Sequence, residues 1–303
     1  MSVMTSGSFA KALWPGVNKW YGQSYNEYGT EWDKLFDKNT SKKAFEEDVG
    51  YSSFGLASIK AEGAPITYDS SRQGFTTRYQ HVVYALGFQI TREMFEDDLY
   101  DVIGKKKATA LARSMRISKE IVAANVYARA ITAGYTGGDG KTLLATDHLR
   151  VSGGTYSNML ATTADLSEAS LEQATIDIEG FVDDRGLIMA AKPKSLIIPR
   201  WLRFEAYRIL KSDGRVGTDL NDPNAIKAIG AFGEPVVNHF LTADQDAWYI
   251  RTDVSDGMKH FERRGDQFEM DNDFDTENAK FKATARYSFG WSDPRGIYGS
   301  MGA

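Results

Sequence analysis

Cysteine is absent from the chain, which excludes disulfides, thiolate nucleophiles and thiolate-held zinc or iron–sulfur centres. A reducing cytoplasm is the natural setting for such a sequence. Long apolar runs are missing as well. No stretch approaches the roughly 18 residues needed to span a bilayer, and residues 1–20 lack the charged segment followed by an apolar one that directs secretion. No membrane partner is expected. Basic charge is not in excess either: 36 Lys and Arg stand against 41 Asp and Glu, a formal net charge of −5 over 303 residues. A stripe neutralising many phosphates is therefore not predicted, and any contact with DNA should be loose and unspecific. Histidine is scarce, and His81, His148, His239 and His260 lack the helical pair spacing that places two on one metal.

Motifs that would carry chemistry fail at named positions. Gly140-Lys141-Thr142 imitates the end of a phosphate-binding loop, but the required glycine five residues before Gly140 is Tyr135. Asp271, Asp273 and Asp275 imitate a calcium loop, with Thr276 in place of its glycine and Lys282 in place of its bidentate glutamate. Ser8-Phe9-Ala10-Lys11 has the serine–lysine spacing of penicillin-recognising enzymes without their companion elements. Asp147 and His148 are adjacent, so their side chains diverge, and no GxSxG elbow occurs. The reading is a non-enzyme with no catalytic residue, metal or cofactor.

What the chain does have is a core and an unusual distribution of aromatics. Hydrophobic residues make up 42% and charged residues 25%, as in a globular protein of one large or two moderate domains. Three of the six tryptophans, Trp14, Trp20 and Trp32, fall in the first fifty residues with Tyr21, Tyr25, Tyr28, Phe36 and Phe45. Residues 23–37 have helical spacing; the rest of this arm reads as irregular and polar. It either folds back on its own domain or clasps a neighbour with its aromatics, as interface anchors do. Residues 51–68 and 75–91, both rich in aromatic and β-branched types, read as two arms of a hairpin turning at 69–74. Arms of about 17 residues at roughly 3.3 Å each reach on the order of 55 Å, and a lone hairpin needs a partner surface or a place in a larger sheet.

Residues 93–132 predict a long helix, capped by Thr91 and open to a bend at Gly104. Its basic side, from Lys105 to Lys119, reads most simply as a solvated face, with a neighbour's carboxylates or packaged DNA as the alternatives. A glycine-rich connection (134–158), a helix (167–184) stopped by Gly186, a buried strand (195–199), a helix (201–211) and a long loop (212–233) follow. From Ala279 to Trp291 every odd position is apolar and every even one polar or glycine, the pattern of a strand with one buried face. With 258–270 and 247–252 it suggests a long antiparallel sheet beside the long helix.

This order of arm, hairpin, long helix, small α/β segment and returning strands resembles the Hong Kong 97 fold of tailed-bacteriophage major capsid proteins. Locally, the run from Gly87 to Asp98 looks like the hairpin-to-spine junction of Mu-like major head subunits. Asp139-Gly140-Lys141-Thr142-Leu143-Leu144 with Asp147-His148 looks like their post-spine segment. The resemblance implies an α+β capsid fold: an N-arm (1–50), an E-loop (51–92), a P-domain of spine helix and long strands (93–165 and 245–303) and an α/β A-domain (166–244). It implies self-assembly as pentamers and hexamers into an icosahedral head around double-stranded DNA, within the host cytoplasm, with portal, separate scaffold and decoration proteins as further partners. No scaffolding segment is read ahead of the arm. Interface residues under this reading are Trp14, Trp20, Tyr25, Tyr28 and Trp32 on the arm, Tyr68, Arg72, Phe75 and Arg78 on the hairpin, and Arg215 and Asp219 on the long loop. An encapsulin-like nanocompartment shell, set second because such shells begin with a helix, and an unrecognised hydrolase or sugar-binding phage protein are the alternatives.

Overall fold

A computed structural model describes residues 7–27, 29–96, 100–214, 223–272 and 278–302. The chain opens with helix α1 (Gly7–Asn26) and a single turn, α2 (Trp32–Leu35). Strand β1 (Asp37–Thr40) precedes a hairpin of β2 (Phe45–Tyr51) and β3 (Gln73–Gln80), and β4 (Val82–Ile90) leads into α3 (Arg92–Glu96) and α4 (Tyr100–Ala128). A two-residue pair, β5 (His148–Leu149) and β6 (Thr155–Tyr156), closes the glycine-rich connection. Then come α5 (Glu168–Glu179), β7 (Pro193–Pro199), a 3-10 turn (Arg200–Leu202), α6 (Arg203–Lys211), α7 (Ala225–Ile229), β8 (Val236–Asn238) and β9 (Trp248–Thr252). Strands β10 (Met258–Asn272), β11 (Ala279–Trp291) and β12 (Ile297–Ser300) complete it.

Two four-stranded sheets organise these elements, ordered β1-β10-β11-β4 and β12-β9-β7-β8. The first is covered by the spine helix α4, whose Ala108, Leu111, Ala112 and Met115 recur at helical spacing and meet Phe281, Ala283, Ala285 and Tyr287 of β11. The alternation foreseen from Ala279 to Trp291 holds as far as Tyr287, with Phe281, Ala283, Ala285 and Tyr287 buried and Lys280 and Lys282 exposed; beyond it Ser288 and Gly290 are buried and Phe289 and Trp291 half-buried. Strand β9, expected in this sheet, pairs instead with β7 and β12. Alternation identifies a strand and its buried face but not its neighbours. Helices α5 and α6 pack together on the Leu196, Ile198, Trp248, Ile250 and Tyr298 face of the second sheet.

Tyr127 joins the two sheets. Fully buried at the end of α4, it donates from its hydroxyl to the Leu35 carbonyl (2.9 Å), and its own carbonyl accepts from Tyr249 (2.9 Å). Its ring meets Phe36 and Tyr249 edge-on. Nearby, the buried Glu120 carboxylate accepts from the backbone amides of Glu31 (3.0 Å) and Trp32 (2.9 Å), satisfying donors that a one-turn helix leaves orphaned. Burial holds the His260 imidazole neutral, with its pKa pushed down to about 3, helped by Lys119. It packs as an aromatic plate between Trp32 and Phe289.

Several sequence expectations are corrected. The arm is not irregular: α1 spans 20 of its 50 residues despite Pro15, Gly16 and Gly22, and the helical spacing of 23–37 is divided between the end of α1 and the single turn α2. Its second half is held by tertiary contacts, with Tyr21 stacked on Phe268 (4.4 Å) and bonded to Asp266, and Arg116 donating to the Tyr25 carbonyl (2.8 Å). An opening helix removes the ground on which an encapsulin-like shell was set second. The basic side of α4 is not wholly solvated. Arg116 and Lys119 are buried, and Lys119 pairs with Glu262 (2.9 Å) over the Trp32 ring (4.2 Å). The helix predicted over 93–132 is α3 followed by α4 and ends at Ala128, running through Gly104. Thr91 caps as expected, accepting from Met94 N (3.4 Å). Gly180, not Gly186, ends α5, and the 212–233 loop contains α7. Asp273 and Asp275 of the calcium-like run lie outside the described residues.

Replacing Tyr127 by Phe leaves the Leu35 carbonyl without its partner, so a loss of about 1–2 kcal/mol is expected. Tyr127→Ala adds a cavity and should cost about 3–5 kcal/mol. Chemical denaturation of both variants checks this, and equal stability of Tyr127→Phe and parent would remove the junction from its assigned role.

Candidate assembly interface

The predicted hairpin exists with shifted arms. Its paired strands are β2 and β3, in antiparallel register from Phe45 opposite Gln80 to Tyr51 opposite Gln73. Residues 52–72, read as most of a strand and its turn, have no regular structure. The second arm divides at His81, whose buried ring lies between Ser288 Oγ (3.0 Å) and Ser41 Oγ (3.1 Å). Beyond it β4 turns into the large sheet beside β11.

The hairpin's base is anchored in the body. Asp48 accepts from Ser292 (2.6 Å) and pairs with Lys259, and the buried Tyr79 shares a hydrogen bond with Ser292 (2.6 Å). Burial works against ionisation of Asp48, but these bonds prevail and keep its pKa below the usual range. Gly290 makes room for Tyr79, whose ring would lie 2.9 Å from any Cβ placed there. Under the base lies a cleft of about 290 Å³ lined by Asp48, Tyr51, Phe75, Tyr156 and Arg295, among others. Arg295 is buried over the Tyr156 ring (4.3 Å) and reaches Asp184 (3.0 Å) and Asp293 (3.2 Å). Burial opposes its charge, yet Asp293, Tyr156 and Asp184 outweigh it and its pKa is raised.

The loop's neck is closed by Ser52. Its amide donates to the Arg72 carbonyl (2.8 Å) and its hydroxyl accepts from the Arg72 amide (2.8 Å). Past the neck, two polar contacts tie the loop to the turn after α5: Ser53 with Asp183, and Asp69 with Arg185. Asp69 also accepts from the Gly55 amide (2.8 Å). These bonds, Arg185 first, lower its pKa from the ordinary 3.8 to about 2.

Between these ties the loop presents apolar side chains to solvent. Leu56, Ile59 and Tyr68 are 84%, 102% and 91% exposed, and Phe54 and Ile66 are also exposed. Burying each such side chain is worth about 1.5–3 kcal/mol, so the loop carries an interface's worth of unburied surface. Of the residues read as interface in the sequence, Tyr68, Arg72, Phe75 and Arg78 stand exposed on this hairpin, with Arg78 over the Phe45 ring (3.7 Å). Phe54, Leu56, Ile59 and Ile66 escaped that reading. Trp20 and Tyr25 are half-buried along α1, and Trp32 is buried in its own chain's core. The Trp14 side chain and residues Tyr28, Arg215 and Asp219 lie outside the described residues.

The catalytic look-alikes are absorbed into local structure. Lys141 pairs with Asp147, and Thr142 donates to the Leu144 carbonyl (2.8 Å). His148 is fully buried, Nδ1 2.6 Å from Asp139 and Nε2 3.2 Å from Asn158. Neither ring nitrogen is presented to the cleft as a base. Among the described residues no group of acidic and histidine side chains is placed to hold a metal.

A family model described as phage capsid protein matches residues 74–300. Among solved structures, the chain resembles one from Microbacterium phage Oxtober96 at 10% identity and a TM-score of 0.54, over 91% of this chain and 92% of that one. It also resembles the procapsid of bacteriophage JBD30 (13% identity, TM-score 0.51, 98% and 76% covered). A third likeness is to the virus-like particle from Pyrococcus furiosus (12% identity, TM-score 0.54, 94% and 97% covered). At such identities the likeness is one of fold. No curated protein matches the chain in sequence.

The Asp69 clamp is open to titration. Because its pKa lies below the ordinary 3.8, its contribution is complete above that pH and is lost as pH falls through about 2. The Asp69 carboxyl carbon, followed by NMR, should titrate near 2 in the parent and move up toward the ordinary 3.8 in Arg185→Ala, where the Gly55 and Ser70 amides still hold it down in part. A parental midpoint at the ordinary value would dissolve the clamp.

Proposed function

The chain belongs to the phage capsid protein family and has the α+β Hong Kong 97 capsid fold, and from that premise we propose that it is a major capsid protein of Mu-like kind. It assembles as pentamers and hexamers into an icosahedral head around double-stranded DNA. The observation that carries the reading is the 52–72 loop, anchored at its neck and apolar along its exposed length. A monomer leaves that surface in water; a shell covers it with the adjacent subunit. Residues 51–92 act as the E-loop, residues 1–50 as the arm, and 166–244 as the domain nearest the capsomer axis. DNA lies inside the shell without sequence-specific contacts, in keeping with the net charge of −5. Portal, scaffold and decoration proteins are the further partners, and assembly takes place in the host cytoplasm.

The kinship to Mu-like subunits draws support from what its motifs do here. Gly87 sits where a Cβ would approach the Phe281 carbonyl to 2.6 Å, so the β4–β11 pairing needs glycine there. Asp139 and His148 bond each other across the post-spine segment. The virus-like particle from Pyrococcus furiosus shares the fold, so fold alone does not separate a phage head from other shells; the family match favours the head.

Replacing residues 54–68 by Gly-Ser-Gly tests the assignment. The variant should stay soluble with an unchanged circular dichroism spectrum, because Ser52 and Arg72 still close the neck, yet yield no closed particles in negative-stain images where the parent forms them. Normal particles from the variant would falsify the role given to the loop.

A further inference from the structure

Two helices of the α/β unit carry opposite net charge. The 3-10 turn and α6 hold Arg200, Arg203, Arg208 and Lys211 against Glu205. Helix α5 holds Glu168, Glu172, Asp177 and Glu179 and no basic residue. Arg200, Arg203 and Arg208 are exposed, and among the described residues none of them makes an ion pair. The same is true of Glu172 and Glu179, half-buried and exposed respectively. Asp177 is used internally, accepting from Tyr298 (2.5 Å). Each charged face also carries exposed apolar surface. Phe204 is 75% exposed beside Trp201 on the basic face, and Ile176 is 64% exposed on the acidic one.

Their placement matters more than their composition. Both helices cover the same face of the β12-β9-β7-β8 sheet. Helix α5 lies by the edge strand β12, through Tyr298 and Asp177. Helix α6 follows β7 and packs with α7, where Asn224 caps α7 and donates to the Ser212 carbonyl (3.2 Å) just past the end of α6, leading to β8 at the other edge. One flank of this layer is therefore acidic and the other basic. A basic flank cannot pair with its own copy by two-fold symmetry without facing like charge. It can pair with the acidic flank of the next copy, and such head-to-tail contacts close into rings.

We infer that the basic α6 flank of one subunit docks on the acidic α5 flank of a second copy of this chain, with Phe204 and Ile176 as the apolar centre of the contact. The inference rests on the shell-forming reading and names the surface by which a capsomer ring closes. Opposite charges steer the encounter and exclude the two-fold register; the apolar centre supplies the hold.

Charge reversal tests it in the full chain. Arg203→Glu with Arg208→Glu turns the α6 face net acidic, and Glu172→Arg with Glu179→Arg turns those two α5 positions basic and leaves the helix without net charge. Each pair, judged folded by circular dichroism and thermal melting, should raise the concentration needed for assembly on the order of tenfold or more, read by sedimentation velocity and negative-stain microscopy. The chain with all four substitutions should assemble again. An equimolar mixture of the two pairs, in which the acidic α6 of one meets the reversed α5 of the other, should recover six-membered rings, whereas five-membered rings cannot alternate and should not close. Parent-like assembly by either pair, or failure of the fourfold variant to recover, overturns the docking. Parent-like assembly of Arg203→Glu/Arg208→Glu with loss of binding to a duplex DNA oligonucleotide also overturns it and gives the basic face to nucleic acid. A parent that forms no particles at all strikes the shell-forming reading itself, and the two failures are thereby distinct.

Discussion

Everything in this fold hangs from the end of the spine helix. There Tyr127 bonds the Leu35 carbonyl on one side and receives Tyr249 on the other. Ala123, Ala124 and Tyr127 of the helix share one core with Phe36, Ile197, Tyr249 and Ile297. The long sheet, the smaller α/β sheet and the segment joining arm to body therefore meet at one dry point. A buried phenol with both its hydroxyl and its backbone engaged has one arrangement, since any other leaves polar groups unsatisfied away from water.

From that junction the molecule divides into parts that complete themselves and parts that do not. Buried charges of the body have partners within the chain: Lys119 pairs with Glu262 and Arg295 with Asp184 and Asp293, while Arg116 and Glu120 bond backbone groups of the arm. The loop beyond Ser52 and the flanks of α5 and α6 expose apolar and charged groups that intramolecular partners leave uncovered. An isolated globular protein has no reason to expose such surfaces. A shell subunit has, because the uncovered groups mark where its neighbours go.

How legible this was depends on whether a signal is local. The β11 strand was readable because burial on one face writes a period of two into residues 279–287. Helix α5 was readable from its apolar spacing, although its end at Glu179 was not. The arm helix was not, because Pro15, Gly16 and Gly22 argue against it locally and tertiary contacts from Tyr21 and Arg116 override them. Aromatic and β-branched residues at 51–68 imitated a strand, since interface residues and strand residues are drawn from the same types. Tyr68, Arg72, Phe75 and Arg78 were found as exposed hairpin residues for that reason, while Phe54, Leu56, Ile59 and Ile66, spaced by Gly55, Gly63 and Pro65, followed no period. The sheet to which β9 belongs, and the burial of Arg116 and Lys119, are facts of topology that a linear pattern does not hold.

The closing of the loop's neck by one residue pair has a consequence for how such a chain varies. Because Ser52 and Arg72 hold the two ends together, the body is indifferent to the number of residues between them, and doubling a loop costs only about 0.6 kcal/mol of closure entropy. At its far end Ala64 bonds back to Ala61 (3.1 Å) around Gly63, at a positive φ of 76°. That exposed turn tolerates extra sequence without touching a core residue. Length and composition there are free to drift between lineages, or to carry a foreign peptide outward, while the scaffold beneath stays the same.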